Sequence, residues 1–334
     1  MKLLNEISLI DRQQWAALVD RSPVASVFQT PEWCDFFIKS GWFAIRLVGV
    51  EDDGVLQGLV VCLVLTEGKG LKKRLSTRAI INGGPLLSPD ITEEALTLLL
   101  QSTIDKLKYQ CVYIETRNFN DYSPWRAVFE ACGFAYQPHC NFHVDTTNEE
   151  TVESNLGKSR RRDIKYTLRE GAVAVEASSI EEVDAFYGIL QTLYHDKVKR
   201  PLFPVDFFHQ LMEKPFAHLM LVKYHEEVVG GSLCLELKGR TLYEWFVCGK
   251  DHEWNNVHPS ELATYEAMEL AVRLGCQRFD MMGAGEPDKE YGVRDFKAHF
   301  GGTLVEHGRY LHRCKPLIYK LGEFVIKNNI KIGL

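Results

Sequence analysis

The chain has 334 residues, 46% hydrophobic and 25% charged, with a formal net charge of −6 at pH 7. That length sets an expectation of about two domains, the composition argues against a disordered chain, and the acidic balance argues against a protein coated with nucleic acid while allowing a local basic patch. Nine scattered cysteines, odd in number and without a C-x-x-C pair, suggest neither a disulfide framework nor a zinc site. The start, "MKLLNEISLIDRQQW", carries acidic residues where a signal peptide needs an apolar core. No later stretch reaches the roughly 18 uncharged apolar residues of a membrane span, so the expectation is a cytoplasmic protein with no transmembrane segment.

In chain order, "PEWCDFFIKSG" (31–41) reads as a helix capped by Thr30, with Pro31 in its first position. "WFAIRLVGVEDDGVLQGLVVCLVLTEG" (42–68) reads as a hairpin whose acidic turn ends in Gly54. "TEEALTLLLQSTIDKLK" (92–108) has apolar residues at helical spacing and feeds a strand, "CVYIETR" (111–117). After the basic segment "KSRRRDIKYTLR" (158–169) the design repeats: a hairpin "HLMLVKYHEEVVGGSLCLELKG" (218–239), a helix "PSELATYEAMELAVRLG" (259–275) and a strand "CQRFDMMG" (276–283). Each half then adds a helix ending in a glycine-phenylalanine junction, "WRAVFEACGF" and "VRDFKAHFGG". The matching pieces are offset by about 165 to 175 residues, which means duplicated domains and not a solenoid. The expected fold is mixed α/β, with domains over 1–150 and 151–334 and the division near 146–157.

This strand and helix order resembles that of GNAT acyltransferases, in which two strands splay apart and the donor carbonyl sits in the gap. Tandem GNAT-like domains with mixed sheets are the implied architecture, the C-terminal one carrying most of the site. In that family a glycine-rich turn before the central helix holds the pyrophosphate of coenzyme A. Here the connection "VCGKDHEWNNVHPSEL" (247–262) has no glycine between Lys250 and the helix. In the first half "NGGP" (82–85) stands several residues before its helix, so neither connection reads as a coenzyme A cradle.

Four stretches, "SVFQTPEWCDFFIKSGW" (26–42), "KSRRRDIKYTLREGAVAVE" (158–176), "HPSELATYEAMELAVRLGCQRFDMMGAG" (258–285) and "GVRDFKAHFGG" (292–302), resemble in order the Fem family of peptidoglycan interpeptide-bridge aminoacyltransferases. The resemblance implies transfer of an activated acyl group to an amine of a nucleotide-linked, or otherwise phosphorylated, cell-envelope precursor. The donor is aminoacyl-tRNA or acyl-CoA, with no permanently bound cofactor and no metal. The chain departs from the longer members in lacking a helical-hairpin insertion that would form a coiled-coil arm. The resemblance also implies that Lys297 stabilises the reacting carbonyl, that Lys39 lies near the nucleotide, and that Arg161 or Arg162 meets phosphate.

Residue by residue, each candidate has two meanings. Lys297, beside Phe296 and Phe300, is an oxyanion donor or a surface lysine with its stem on apolar rings. Asp280 orients an amine or anchors the Gly283–Gly285 turn. Tyr243 donates to an acyl acceptor or packs in its strand, and Glu244, on the strand's other side, is the second candidate acid. Lys158, Arg162, Lys165 and Arg169 form one stripe with Arg161 beside it, either a solvated face or a polyphosphate contact. Lys39 has a helix-dipole explanation too. Gln29 and Trp33 line a substrate groove or belong to the core. Neither metal-ligand spacing nor a nucleophile elbow is present. Three functions are compatible with all this: a Fem-like acyltransferase, a coenzyme A-dependent acyltransferase acting on a small amine or sugar nucleotide, and a non-catalytic binder of a phosphorylated ligand.

Overall fold

The computed structural model describes residues 1–327 and divides the chain into two units, one built from Met1–His139 with the chain from His307 onward, the other from Cys140–Glu306. The first sheet uses β1 (Lys2–Leu4), β2 (Ala44–Asp52), β3 (Val55–Leu65), β4 (Arg78–Asn82), β5 (Leu86–Leu87), β6 (Tyr113–Arg117) and β7 (Ala135–Gln137). The second uses β8 (Cys140–Asp145), β9 (Val173–Glu176), β10 (Ala217–Tyr224), β11 (Glu227–Leu237), β12 (Thr241–Gly249), β13 (Arg278–Gly283) and β14 (Thr303–Glu306). The last strand, β15 (Arg309–His312), returns to the first sheet, whose order is β1-β2-β3-β4-β6-β15-β7 with β5 on β3; the second runs β14-β8-β13-β12-β11-β10-β9. Both are mixed sheets: β4 and β6 pair parallel in one, β12 and β13 in the other, and the remaining neighbours run antiparallel.

Local chemistry explains most of these elements. The β2–β3 hairpin turns at Asp53 and Gly54, with φ of 46° and 77°, where a right-handed sheet twist favours a turn with two positive φ values. The β10–β11 hairpin makes the same kind of turn at His225 and Glu226, with φ of 50° and 62°, although neither is a glycine. Thr30 caps the helix Pro31–Ser40 by accepting from Trp33 N, and Gly41 ends it in the left-handed region. The helices Glu93–Leu107 and Pro259–Arg273, each 15 residues long, occupy matching places in the two repeats. Their apolar faces cover β2 and β3 in one unit and β11 and β12 in the other. Each leucine buried there, such as Leu96 or Leu262, contributes about 1.5 to 3 kcal/mol of transfer free energy.

The division between units differs from the expected 150/151. It falls at 139/140 because β8 pairs with β13 and β14 in the second sheet. The chain leaves the second unit again at 306/307, because β15 pairs with β6 and β7. These ladders join segments more than 100 residues apart, which no local period reports. Among the described residues no helix is long and apolar enough to cross a membrane, and no three His, Cys, Asp or Glu side chains are grouped to hold a metal.

Candidate active site

The parallel ladders of the two units differ. In the first, β4 and β6 pair along all of Arg78–Asn82. In the second, β12 and β13 pair only from Thr241 with Arg278 to Tyr243 with Asp280, while β12 continues to Gly249. The strands therefore part at Glu244. Both also break register there. Trp245 is an extra residue in β12 between the pairs Cys234–Glu244 and Leu233–Phe246, and β13 shifts against β8 between Asp280 and Gly283, with Met282 at φ 61°. Bulges and a non-glycine residue at positive φ cost local pairing and backbone energy, and such features cluster where a strand must present a site.

Lys297 enters this gap from the short helix Gly292–Ala298. It is buried, 7% exposed, so the surface-lysine alternative does not hold. Its ammonium donates to the carbonyl oxygens of Met281 and of Gly283, the latter at 2.9 Å. An ammonium has three N–H donors, so one is left over. Burial pushes the Lys297 pKa down, and the charges of Glu244 and Asp280 oppose that by favouring the ammonium.

The two acids are set differently. Asp280 is fully buried; its Oδ1 accepts from Met282 N at 2.7 Å, holding the positive-φ turn, and its Oδ2 stands 3.2 Å from His143 Nε2. The anchoring role is thus real, but toward Met282 and not the Gly283–Gly285 turn. Glu244 Oε1 accepts from Ser232 Oγ at 3.1 Å and Thr264 Oγ1 at 2.8 Å, whereas its Oε2 is buried without a hydrogen-bond partner. Burial raises the Glu244 pKa, against the lowering effect of Lys297 and the two hydroxyls. Tyr243, paired with Asp280 across the ladder and wholly buried, has its pKa pushed up to about 12, mainly by burial. These four sequence candidates come together.

The basic helix Lys158–Arg169 divides its cations by face. Arg162 is exposed and pairs with Asp163 at 3.0 Å. Arg161 donates to Glu153 O at 2.7 Å and reaches Ser154 O and Leu156 O at 3.4 Å, so it caps the carbonyl end of the helix Glu149–Asn155. Arg161, Lys165 and Arg169 line a cavity of about 620 Å³ with Tyr265. The cation that sequence inspection missed is Arg160. It is 8% exposed, bonded to Glu261 Oε1 at 2.6 Å, and stacked over Phe296 and Phe300 at 4.5 and 5.0 Å. Its signal was the buried stripe Arg160, Ile164, Thr167 at i, i+4, i+7.

Two further residues carry the site without having been singled out. Arg294 donates to the carbonyls of Ala284, Glu286, Pro287 and Lys289 and so fastens the acidic loop, leaving Glu286, Asp288 and Glu290 in solvent. Asp251 sits at the start of the central helix Pro259–Arg273, accepting from Ser260 N at 2.8 Å and Ser260 Oγ at 2.6 Å. Position 259 is a proline without an N–H, and Gly249 and Gly230 are so close to the helix start that a Cβ on either would come within 2.7 Å of Ser260 N or 2.8 Å of Pro259 Cβ. A carboxylate and tight backbone packing thus fill the place where a coenzyme A pyrophosphate would need free N–H donors. The residues present do not fit that group.

Three candidates, Gln29, Trp33 and Lys39, belong to the first unit. Gln29 and Trp33 belong to the core and not to a substrate groove, being 0% and 1% exposed. Gln29 Oε1 accepts from Ser26 N at 2.6 Å and its Nε2 donates to Gly84 O at 2.7 Å, so its polar atoms are consumed by the fold. Trp33 lies on the inner face of its helix, edge-on to Phe28 and Phe37 at 5.1 and 4.8 Å. Lys39 is exposed in the last turn of that helix.

Residues 157–291 match the family model described as an acetyltransferase (GNAT) domain. No curated protein matches the sequence. Among solved structures, that of FemX is similar over 96% of this chain and 99% of its own, with a TM-score of 0.73 and 18% identity. The C-terminal domain of a putative lysylphosphatidylglycerol synthetase from Agrobacterium fabrum is similar over 94% of this chain and 95% of its own (TM-score 0.61, 10% identity). A tandem GNAT protein from the clavulanic acid biosynthesis pathway is similar over 94% and 98% (TM-score 0.58, 11% identity). Residues 157–291 thus match a GNAT acetyltransferase domain, which supports an acyltransferase, and the whole chain is similar in fold to FemX.

Proposed function

We propose that this acyltransferase moves an aminoacyl group from an activated ester, aminoacyl-tRNA, to an amine of a phosphorylated, peptidoglycan-type cell-envelope precursor in the bacterial cytoplasm. The observation that carries the proposal is Lys297, buried where β12 and β13 part, with two of its three N–H donors on Met281 O and Gly283 O. The acceptor amine attacks the ester carbonyl, the C–N bond forms, and the carbonyl oxygen becomes an oxyanion to which the third Lys297 N–H donates. The C–O bond then breaks, and the proton shed by the amine leaves with the ribose hydroxyl. Glu244 and Asp280 favour the Lys297 ammonium against the desolvation of its buried site, where one oxyanion donor is worth about 100 to 1000-fold in turnover. The exposed cations Arg161 and Arg162 are assigned to the precursor's phosphates, Arg161 with Lys165 and Arg169 around their cavity.

A coenzyme A donor is the second reading, favoured by the description of the matching domain model. Asp251 at the head of the central helix supports the ester donor instead. Thermal-shift measurements with a non-hydrolysable aminoacyl-RNA analogue, a UDP-linked muropeptide and coenzyme A decide between them. A ligand at about 100 times its dissociation constant stabilises by about 2.7 kcal/mol. Stabilisation by the first two is expected; stabilisation by coenzyme A alone selects the second reading, and a response to none of the three leaves a binder of another ligand.

A further inference from the structure

Glu244 stands where β12 parts from β13, buried, and its two carboxylate oxygens have different surroundings. Ser232 Oγ on β11, at 3.1 Å, and Thr264 Oγ1 on the central helix, at 2.8 Å, both donate to Oε1 and fix the carboxylate from two elements. Among the described residues nothing donates to Oε2. A buried carboxylate oxygen without a donor is costly, and no contact within the fold offsets that cost. Asp280 differs: Met282 N donates to one of its oxygens at 2.7 Å, and His143 Nε2 stands 3.2 Å from the other.

The gap therefore keeps an unused acceptor, Glu244 Oε2, beside an unused donor, the third N–H of Lys297. The two side chains are near enough that Glu244 is the largest charge favouring the Lys297 ammonium. An α-aminoacyl ester is the complement of this pair. Its ammonium donates, its carbonyl oxygen accepts, and a single carbon joins the ammonium to the carbonyl. The attacking amine of the acceptor has to be neutral, whereas an α-amino group with a pKa of about 7.7 to 8.0 carries its proton at neutral pH and suits a buried carboxylate. We propose that Glu244 Oε2 binds the free α-ammonium of the donor and so selects α-aminoacyl esters over donors whose amine is blocked or absent. This rests on the oxyanion role of Lys297 in the proposed function and adds what the donor must carry. A plain acyl group would leave Oε2 buried and unpaired.

The test is calorimetric binding, to the full chain, of two short RNA hairpins whose 3′ ends carry alanine or N-acetylalanine through an unreactive amide. The free amine is expected to bind about 10 to 100-fold more tightly, the usual contribution of a hydrogen bond to a charged group. Glu244→Gln keeps an acceptor for Ser232 and Thr264 but removes the charge; it should abolish this preference by weakening the free-amine RNA, and leave the N-acetyl RNA within about twofold. A structural role alone would weaken both RNAs alike. Equal binding of the two RNAs to wild type, or an unchanged preference in Glu244→Gln, overturns the site. If neither RNA binds, the RNA donor of the proposed function fails, and thermal-shift measurements with alaninamide and N-acetylalaninamide decide the site separately. Stabilisation by alaninamide only, lost in Glu244→Gln, supports it, and any other pattern overturns it.

Discussion

Arg160 Nη1 stands 2.6 Å from Glu261 Oε1, and this buried contact ties the basic helix Lys158–Arg169 to the first turn of the central helix Pro259–Arg273. The guanidinium also covers Phe296, the neighbour of Lys297, at 4.5 Å. A buried pair contributes little net stability when intact, but removing one partner strands the other charge. Arg160→Ala should cost about 3 to 5 kcal/mol, while the double change Arg160→Met, Glu261→Met should cost clearly less. Urea denaturation of the three proteins measures this. Equal losses in single and double variants would show that packing over Phe296, and not charge, is what Arg160 supplies.

Lys297→Ala should lower turnover by about 100 to 1000-fold with little change in substrate affinity. It also leaves the Met281 and Gly283 carbonyls without their donor, which should cost about 1 to 3 kcal/mol. Lys297→Arg keeps the charge but not a compact donor, and is expected to fold and remain impaired. Kinetics on the folded fraction separate the two effects; near-normal turnover in Lys297→Ala removes the residue from the mechanism.

Glu244 gives a pH dependence of definite sign. Its folded-state pKa is raised, so the folded protein holds this proton more tightly than the unfolded chain. Stability from the group is fully present below the ordinary carboxylate pKa of about 4.3 and is lost as pH rises through the raised value. Glu244→Gln lacks that loss. The stability of wild type relative to Glu244→Gln should therefore fall between pH 4 and pH 8, as read by denaturation at each pH. Because Glu244 is the largest charge favouring the Lys297 ammonium, the alkaline limb of activity in Glu244→Gln should also move to lower pH.

Arg294→Ala should free the acidic loop. Four loop carbonyls, of Ala284, Glu286, Pro287 and Lys289, lose their common donor. Amide hydrogen exchange across 284–291 is expected to rise while protection of β12 and the central helix is kept. Unchanged exchange in that loop would mean that its backbone holds itself.

Elements set by local rules were legible in the sequence. The duplicated hairpin, helix and strand, the cap at Thr30, and the basic helix Lys158–Arg169 follow from periods of 2 and 3.6 and from turn and cap chemistry, which depend on residues a few positions apart. Lys297, Asp280, Tyr243 and Glu244 were each legible as candidates, but not that the four meet, because the pairing of β12 with β13 joins segments on either side of the central helix.

Tertiary structure alone decided the rest. The exchange of β8 and β15 between halves rests on ladders between distant segments, and it moved the division to 139/140 and 306/307. Burial turned Gln29 and Trp33 from groove to core and made Arg160, not Arg161 or Arg162, the inward cation. An arginine's charge is the same on either face of a helix, and only the neighbours that the fold brings, here Glu261, Phe296 and Phe300, determine whether it meets solvent or a carboxylate. The same holds for Lys297: the sequence placed it near an acidic strand end, and the parting of β12 from β13 gave its ammonium two backbone carbonyls to hold.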